Sequence, residues 1–442
     1  MHPSIAIIGS GPAGFYAVEA LAKARPDAHL DVFDRLPTPY GLVRSGVAPD
    51  HQGTKNVWRV FQRTAHRPSV RFLGNVEMGR DVSLAELRSL YDAVVLAIGA
   101  PADRGLGIPG EHLRGVVGSG EITGWYNGHP DHAGKAPPLD GAQVAIIGNG
   151  NVAVDIARVL GRTPQEMVKT DLPAYASEHI ARAPLTDVYM IGRRGPGEAS
   201  FTPVELRELG EMARTVALVD PAQLPDALVA GDPKEQMLKD KLLGILRGYA
   251  QNDPTSKPVR LHILFYAAPL EVLGDGEKVT GLRLARTKVE NGRATTTGET
   301  FELPVSTVVT AVGYHVRPIE GVAMPAGATA YPNDGGQIAD GLWAVGWAKR
   351  GPSGVIATNR QDSIDVVERL LKTLPETSRG DARARLDALL AGRGVQVVPF
   401  SGWEAIEREE NTRAVDGAPR VKLTDWRALL DTAAARGTGA EG

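Results

Sequence analysis

Residues 5–14 read Ile-Ala-Ile-Ile-Gly-Ser-Gly-Pro-Ala-Gly, and residues 144–153 read Val-Ala-Ile-Ile-Gly-Asn-Gly-Asn-Val-Ala. Each stretch begins with four apolar residues, which is typical of a central parallel strand that is buried on both faces. Closely spaced glycines follow, and a helical segment comes after them. This order of strand, turn and helix is the pattern of a dinucleotide-binding unit. Two copies about 140 residues apart predict two bound nucleotide cofactors, as in an enzyme that passes a hydride between a nicotinamide and a flavin.

The glycines of the first copy each have a separate physical role. Gly9 permits the tight turn, Gly11 lets the backbone come close to a pyrophosphate, and Gly14 lets the helix pack closely on the strand. We expect a helix over residues 12–24 whose N-terminal dipole and free N–H groups face the phosphates.

An acidic residue follows the second strand of this copy. The strand is predicted over residues 30–33 and ends at Asp34, which lies 20 residues after Gly14. The pattern places an acid there to bind the ribose hydroxyls of the adenosine. The alternative is a plain buried turn with an accidental set of glycines, but strand, glycines, helix and acid all agree with a nucleotide site.

The second copy ends in a different way. Ala153 stands at its third glycine position, which the pattern tolerates. Its second strand, predicted over residues 187–191, is followed by Arg193 and Arg194 and not by an acid. Two guanidiniums can hold a 2′-phosphate by paired, charge-assisted hydrogen bonds. We therefore expect NADP(H) at this site, with a solvated basic turn as the alternative.

The composition excludes several classes of protein. A net charge of −3 over 442 residues gives no reason to expect binding to nucleic acid. No apolar run approaches the roughly 20 residues that span a bilayer, so we expect no membrane insertion. The chain has no cysteine, which excludes disulfides, cysteine-ligated iron–sulfur clusters and a redox-active dithiol within it. The N-terminus enters a strand directly, with no signal peptide ahead of it, and we expect a cytoplasmic protein.

Two strands that end in small residues, near residues 91–99 and 307–313, suit crossings between two domains. The predicted domains are residues 1–103 with 314–442, and residues 104–313. An antiparallel hairpin is expected from the strands at 279–284 and 300–303 around the Asn291-Gly292 turn. A last strand near 341–346 should lead to a helix that starts around 352–355 and runs to about Leu374.

Five segments together resemble a known family, the adrenodoxin reductase-like ferredoxin–NADP+ reductases. We expect a bacterial member, because the chain shows no targeting presequence. They occur in the family's order and cover nearly the whole chain. The segments are residues 9–16 (GSGPAGFY), 40–51 (YGLVRSGVAPDH), 148–158 (GNGNVAVDIAR), 192–196 (GRRGP) and 346–356 (GWAKRGPSGVI).

This resemblance implies an α/β fold with two Rossmann-like, glutathione-reductase-like domains. FAD would lie in the discontinuous domain and NADP(H) in the other. It also implies electron transfer between NADPH and a small iron–sulfur protein of the ferredoxin type. Since this chain has no cysteine to hold a cluster, that partner must be a separate protein.

The resemblance also implies binding residues. The FAD contacts fall on Ala13, Asp34, Leu42, Met78, Trp347, Gly354, Val355 and Ile356. The NADP(H) contacts fall on Asn149, Gly150, Asn151, Val152, Arg193, Arg194, Glu205 and Gly354. The glycine-rich pattern itself adds Gly9, Gly11 and Gly14 for FAD and Gly148 for NADP(H). For Trp347 the alternative is ordinary core packing.

His51, Asp155 and Glu208 match a polar set that lies near the flavin and the nicotinamide in that family, and we predict a catalytic role for them. His51 is suited to move a proton because a histidine changes charge near neutral pH. The alternatives are a loop histidine bonded to backbone, and for Asp155 a structural ion pair with Arg158. No metal site is expected.

Two other functions fit the same pattern. One is a flavin-bearing subunit that feeds electrons to an amidotransferase such as glutamate synthase, although such subunits usually carry cysteine-ligated clusters. The other is a non-catalytic flavoprotein that senses NADPH. A basic stretch between Lys234 and Arg247 could meet an acidic ferredoxin, with a solvated helix face as the alternative.

Overall fold

A computed structural model describes residues 2–375, 378–415 and 417–435. The strands are β1 Ser4–Ile8, β2 His29–Phe33, β3 Val70–Leu73, β4 Ala93–Leu96, β5 Ala102–Asp103, β6 Val116–Gly118, β7 Gln143–Ile147, β8 Asp187–Ile191, β9 Thr215–Leu218, β10 Val259–Leu264, β11 Ala267–Gly274, β12 Val279–Glu290, β13 Arg293–Leu303, β14 Thr307–Thr310, β15 Tyr314–His315, β16 Gln337–Ala339 and β17 Leu342–Ala344.

The helices include several of a single turn. They are α1 Pro12–Ala24, α2 Leu42–Ser45, α3 Gln52–Lys55, α4 Trp58–Ala65, α5 Leu84–Leu90, α6 Ser119–Tyr126, α7 Asn151–Gly161, α8 Pro164–Met167, α9 Ala174–Arg182, α10 Pro203–Glu208, α11 Pro233–Tyr249, α12 Trp347–Arg350, α13 Thr358–Leu371, α14 Ala382–Gly392, α15 Phe400–Thr412 and α16 Trp426–Ala434.

The chain divides into two compact units. The first unit comprises residues 1–47, 51–102 and 314–442, and the second unit comprises residues 48–50 and 103–313. Each unit contains one of the two glycine-rich turns and its own six-stranded sheet.

The first unit is built on a six-stranded sheet in the order β16-β17-β4-β1-β2-β3, in which all strands except β16 run parallel. Side chains of β1 alternate between its two faces. Ile5 and Ile7 pack with α1 and α13, whereas Ala6 and Ile8 pack with α5 and α14. Because both faces are covered by helices, this strand is apolar from Ile5 to Ile8.

The second unit has a parallel six-stranded sheet in the order β6-β14-β7-β8-β10-β9. Val144 and Ile146 of β7 face a helical core, and Ala145 and Ile147 face a second core that includes residues of β11 and β12. The antiparallel sheet β11-β12-β13 therefore covers one face of this parallel sheet.

These sheets confirm the predicted fold class, and several element bounds agree closely with the sequence analysis. Helix α1 runs over residues 12–24 as predicted, and β12 and β13 form the predicted hairpin with longer strands. The predicted start of the last long helix is wrong. Gly351 and Gly354 each have φ of 79°, which a right-handed helix cannot contain, so α13 begins only at Thr358.

Among the helices in the described part of the chain, none combines the length and the apolar character needed to cross a membrane.

Candidate functional site

The first glycine-rich turn follows β1 and is tightly packed at two of its three glycines. A Cβ on Gly9, which has φ of 108°, would lie 2.5 Å from the Ala97 carbonyl oxygen. A Cβ on Gly14 would lie 2.0 Å from the Gly9 oxygen. By contrast, the first atom that a Cβ on Gly11 would meet is Gly41 Cα, at 4.0 Å. Gly9 and Gly14 thus serve packing, and Gly11 keeps one side of the turn open.

Helix α1 begins at this turn without a side-chain cap. Gly11 is its N-cap residue and Pro12 its first residue, so the N–H groups of the first turn receive no side-chain acceptor at the cap. Such a helix end combines free donors with the positive end of the helix dipole. The start of α1 therefore fits an anionic phosphate group.

Asp34 lies directly after β2 and joins that strand to the glycine turn. Its Oδ2 accepts hydrogen bonds from the Ser10 amide (3.1 Å) and the Ser10 hydroxyl (2.5 Å), and its Oδ1 accepts one from the Leu36 amide (2.9 Å). Burial raises the pKa of Asp34, against the opposing effect of these donors. The Asp34 carboxylate therefore holds the glycine turn in place. It lies at the position where the sequence predicts the contact with the ribose.

The segment that carries Leu42 is packed onto the same turn. The Tyr40 amide donates to the Ser10 carbonyl at 3.0 Å, and a Cβ on Gly41 would lie 3.0 Å from Gly11 Cα. Leu42 begins α2 and is half exposed. The segment is anchored by a buried pair in which Arg44 donates to both carboxylate oxygens of Glu410, at 2.5 and 2.9 Å.

Ala13 is in contact with the C-terminal part of the first unit. A Cβ on Gly346, which has φ of 64°, would lie 2.5 Å from the Ala13 Cβ. The Ser363 hydroxyl of α13 donates to the Ala13 carbonyl at 3.1 Å. The tertiary fold therefore brings together the first glycine turn and the segment 346–356, which are more than 300 residues apart.

Asp362 organises the segment that contains Trp347. One of its oxygens accepts from the Gly346 amide at 2.7 Å, and the other forms an ion pair with Lys349 at 2.8 Å. Arg350 also forms an ion pair with Asp362, at 3.1 Å. Sequence reasoning missed Asp362, because its partners are defined only by the packing of α13.

Trp347 is half-buried and is held from two sides. Its indole Nε1 donates to the Ser353 carbonyl at 3.0 Å, and its ring stacks on Tyr314 with centroids 5.9 Å apart and planes 18° apart. Of the following residues, Val355 is exposed and its amide donates to the Thr358 hydroxyl at 3.2 Å. Met78 lies elsewhere in the unit, packed against the core on the Ala6 and Ile8 face.

The second glycine-rich turn follows β7 and repeats the geometry of the first. A Cβ on Gly148, which has φ of 144°, would lie 2.3 Å from the Ala311 oxygen, whereas a Cβ on Gly150 would meet only Ser200 Cβ at 3.9 Å. Gly150 is the N-cap residue of α7, again without a side-chain cap. This turn also has room on one side and free helix N–H groups, so it too fits a phosphate group.

The asparagines of the second turn tie it to α10. The Asn149 carbonyl accepts from the Ser200 amide at 2.8 Å, and the Asn151 side-chain oxygen accepts from the Thr202 amide at 3.0 Å. Thr202 caps α10, the helix that contains Glu205 and Glu208. Val152 packs against the core of the unit. The Asn149 side-chain oxygen is buried and has no hydrogen-bond partner among the described residues.

Arg193 and Arg194 follow β8 after one residue, Gly192, and β8 is the neighbour of β7 in the parallel sheet. The Arg pair and the second glycine turn therefore lie at the same edge of the sheet. Arg193 is exposed and Arg194 is half-buried. Within the described ranges of the chain, neither guanidinium forms an ion pair, in contrast to Arg158, Arg162 and Arg260 of the same unit.

Arg158 is the centre of a carboxylate cluster that sequence reasoning identified only in part. Its guanidinium is fully buried on α7 and contacts four carboxylates. The contacts are Asp50 (2.7 Å), Asp155 (2.7 Å), Glu208 (3.1 Å) and Glu205 (3.5 Å), and Asp50 is also paired with Arg162 (2.8 Å). Asp155 thus forms the ion pair considered as its alternative, and the catalytic roles of Asp155 and Glu208 stay predictions.

His51 belongs to the first unit, whereas Asp155 and Glu208 belong to the second. His51 is half-buried and precedes α3, and its carbonyl accepts from the Lys55 amide at 3.1 Å. Its catalytic role also stays a prediction.

Comparisons with known proteins agree with a nucleotide-binding role for these two turns. Residues 3–169 match the family described as pyridine nucleotide-disulphide oxidoreductase. The chain is 40% identical to the NADPH-ferredoxin reductase FprA of Mycobacterium tuberculosis over 452 residues, which cover 96% of this chain and 98% of that protein. It is also 40% identical to the mitochondrial NADPH:adrenodoxin oxidoreductase of Homo sapiens over 450 residues, which cover 97% of this chain and 91% of that protein.

A solved structure is similar over the same length. It is Mycobacterium tuberculosis FprA in complex with NADPH, with a TM-score of 0.94 and 38% identity, covering 98% of this chain and 100% of that chain. This similarity confirms the resemblance found in the sequence. The chain belongs to the family of adrenodoxin reductase-like ferredoxin–NADP+ reductases.

Proposed function

We propose that this protein is an FAD-dependent ferredoxin–NADP+ reductase that works in the cytoplasm and exchanges electrons with a separate small iron–sulfur protein. The observation that carries the proposal is the pair of open glycine turns, of which only the second is followed by two arginines without ion pairs among the described residues. The relatives are named for NADPH and for ferredoxin or adrenodoxin, which supports the same reaction.

The first unit holds FAD. Gly11 leaves space for the pyrophosphate, and the free N–H groups at the start of α1 bind its charge. Asp34 contacts the adenosine ribose while it holds Ser10. When bound, FAD supplies the hydride and one-electron chemistry that the side chains of this protein lack. Flavin contacts fall on Ala13, Leu42, Met78, Trp347, Gly354, Val355 and Ile356.

The second unit holds NADP(H). Gly150 and the start of α7 bind the pyrophosphate as in the first unit. Arg193 and Arg194 bind the 2′-phosphate, because a guanidinium presents paired donors that match phosphate oxygens. Asn149, Asn151, Val152 and Glu205 complete this site.

The polar groups have distinct tasks in this proposal. Arg158 keeps Asp155 and Glu208 in fixed positions through ion pairs at 2.7 and 3.1 Å. His51 moves the proton that accompanies the hydride, since a histidine exchanges protons readily near neutral pH.

The electron acceptor is a separate protein, because this chain has no cysteine that could ligate an iron–sulfur cluster. Charge complementarity would speed the encounter of the two proteins and would weaken at high salt.

Rapid mixing of the purified, FAD-loaded protein with NADPH tests the proposal. The yellow absorbance of the flavin should bleach, and a ferredoxin should restore it. Ferredoxin-dependent reduction of cytochrome c should fall steeply as salt rises from about 0.1 M to about 1 M, whereas flavin reduction by NADPH should respond less. If the protein binds NADPH but no ferredoxin reoxidises its flavin, it is a sensor and not a reductase.

A further inference from the structure

The backbone carbonyls of three consecutive residues, Gly192, Arg193 and Arg194, accept hydrogen bonds from one corner of the antiparallel sheet. We call these three residues the arginine turn. The donors lie between the end of β10 and the middle of β12, more than 70 residues later in the chain. The three bonds join Gly192 O to Ala267 N (3.0 Å), Arg193 O to Thr287 Oγ1 (2.8 Å) and Arg194 O to Tyr266 N (3.1 Å).

Thr287 is the one donor of these three that acts through its side chain. It is 7% exposed. Its amide also donates to the Tyr266 carbonyl at 2.9 Å, so the residue is held to the same corner by its backbone. The pairing of β12 with β13 shifts register between Ala285 and Thr287. This irregularity occurs next to the residue whose hydroxyl reaches Arg193.

These hydrogen bonds fix the backbone of Arg193 and Arg194. Their side chains form no ion pair with any other described residue, so the backbone bonds are the restraint on their position. Arg193 and Arg194 must present their donors to a phosphate with a defined geometry. Binding groups have to be held within about 0.5 Å of the productive position to act efficiently. A neighbouring sheet that bonds each carbonyl of the turn supplies this restraint.

We infer that Thr287 is a positioning residue for coenzyme specificity. Its hydroxyl holds the Arg193 peptide so that the arginine pair meets the 2′-phosphate of NADPH, and the sheet β11-β12-β13 acts as the support of the arginine turn. This inference rests on the function proposed above. It concerns discrimination between NADPH and NADH, not the chemical step itself.

Thr287→Val tests the inference, because valine keeps the shape of threonine and removes the hydroxyl. We expect kcat/KM for NADPH to fall about five- to tenfold, which corresponds to one lost hydrogen bond to a buried carbonyl. The value for NADH should stay unchanged. The inhibition constant of 2′,5′-ADP, which carries the 2′-phosphate but no nicotinamide, should rise by the same factor. The inhibition constant of 5′-ADP should not change.

Thr287→Ser keeps the hydroxyl and should retain the wild-type preference for NADPH. Thr215→Val is the matched control: Thr215 is a buried threonine of β9 whose hydroxyl donates to the Gly161 carbonyl at 2.7 Å, away from the arginine turn. It should leave the ratio of the two coenzymes unchanged. If Thr287→Val does not fold by circular dichroism, Thr287→Ala, which also lacks the hydroxyl, replaces it.

Equal losses with both coenzymes, or unchanged binding of 2′,5′-ADP, would overturn the role of Thr287. A wild-type protein that does not oxidise NADPH at all would instead overturn the proposed function. The two failures are therefore distinguishable in one set of assays.

Discussion

Arg158 and Asp50 form a buried ion pair in which Arg158 Nε lies 2.7 Å from Asp50 Oδ2, with side chains 0% and 4% exposed. Asp50 belongs to a three-residue segment, 48–50, that is part of the second unit although its neighbours in sequence belong to the first. The pair ties this segment to α7, the helix that starts at the second glycine turn.

We expect Arg158→Gln to lower the free energy of unfolding by about 3–5 kcal/mol, because it leaves buried carboxylates without their counter-charge. Urea unfolding measures the change. Arg182→Gln is the control: it removes a surface pair with Glu178 from a side chain that is 80% exposed, and should cost less than about 1 kcal/mol. Similar costs for the two variants would contradict a structural role for the cluster.

Gly11→Ala and Gly14→Ala should fail in different ways. A Cβ on Gly11 would come no closer than 4.0 Å to its first neighbour, Gly41 Cα, so the variant should fold with a stability within about 1 kcal/mol of the wild type and release its FAD more readily. A Cβ on Gly14 would overlap the Gly9 carbonyl, and overpacking of this kind should cost about 3 kcal/mol. Flavin content and thermal unfolding with added FAD separate the two effects. Full FAD retention in Gly11→Ala would show that the pyrophosphate does not lie against this turn.

Arg194→Ala should reduce the use of NADPH about ten- to hundredfold, since a charge-assisted contact contributes about 1.5–3 kcal/mol. The use of NADH should be almost unchanged. Steady-state kinetics with both coenzymes measure the ratio, with Arg182→Ala as an exposed arginine in the same unit that should change neither. A parallel loss for NADH would mean that Arg194 does not contact the 2′-phosphate.

His51→Ala should slow the reduction of the flavin by NADPH, or shift its dependence on pH, without releasing FAD. The reason is its position directly after Asp50 in the segment that resembles the family's flavin site. Single-turnover absorbance measurements between about pH 6 and about pH 9 test this, because a proton-transfer role would make the rate depend on pH. An unchanged rate throughout that range would make His51 a structural residue.

Asp187 gives a prediction about stability at low pH. Burial favours its neutral form, but donors on Arg260, His262 and Thr186 outweigh burial and lower the pKa of Asp187 to about 2. An unfolded aspartate has a pKa of about 3.9. Its stabilising contribution is therefore complete above about pH 4 and is lost as the pH falls towards 2.

The stability advantage of the wild type over Asp187→Asn should accordingly shrink as the pH falls from about 4 to about 2. Urea unfolding at several pH values measures it, and Asp340→Asn, on an exposed turn, should show no such trend. A constant difference between wild type and Asp187→Asn would contradict the depressed pKa.

The local sequence was sufficient to predict the two nucleotide-binding units. The bounds of α1 and β8 follow from short-range rules: alternate β-strand side chains face opposite sides of a sheet, and glycines mark the turns. The openness of Gly11 and Gly150 also agrees with the spacing of the glycines alone. These features depend on neighbours within a few residues, which a sequence displays directly.

The tertiary structure alone revealed the groups that hold these turns. The Arg158 guanidinium reaches Asp50 from 108 residues away, Thr287 reaches Arg193 from 94, and Ser363 reaches Ala13 from 350. Such contacts are set by the order and register of strands and by the packing of helices on them. A sequence pattern specifies which face of a strand or helix is buried, but it does not specify which distant element covers that face.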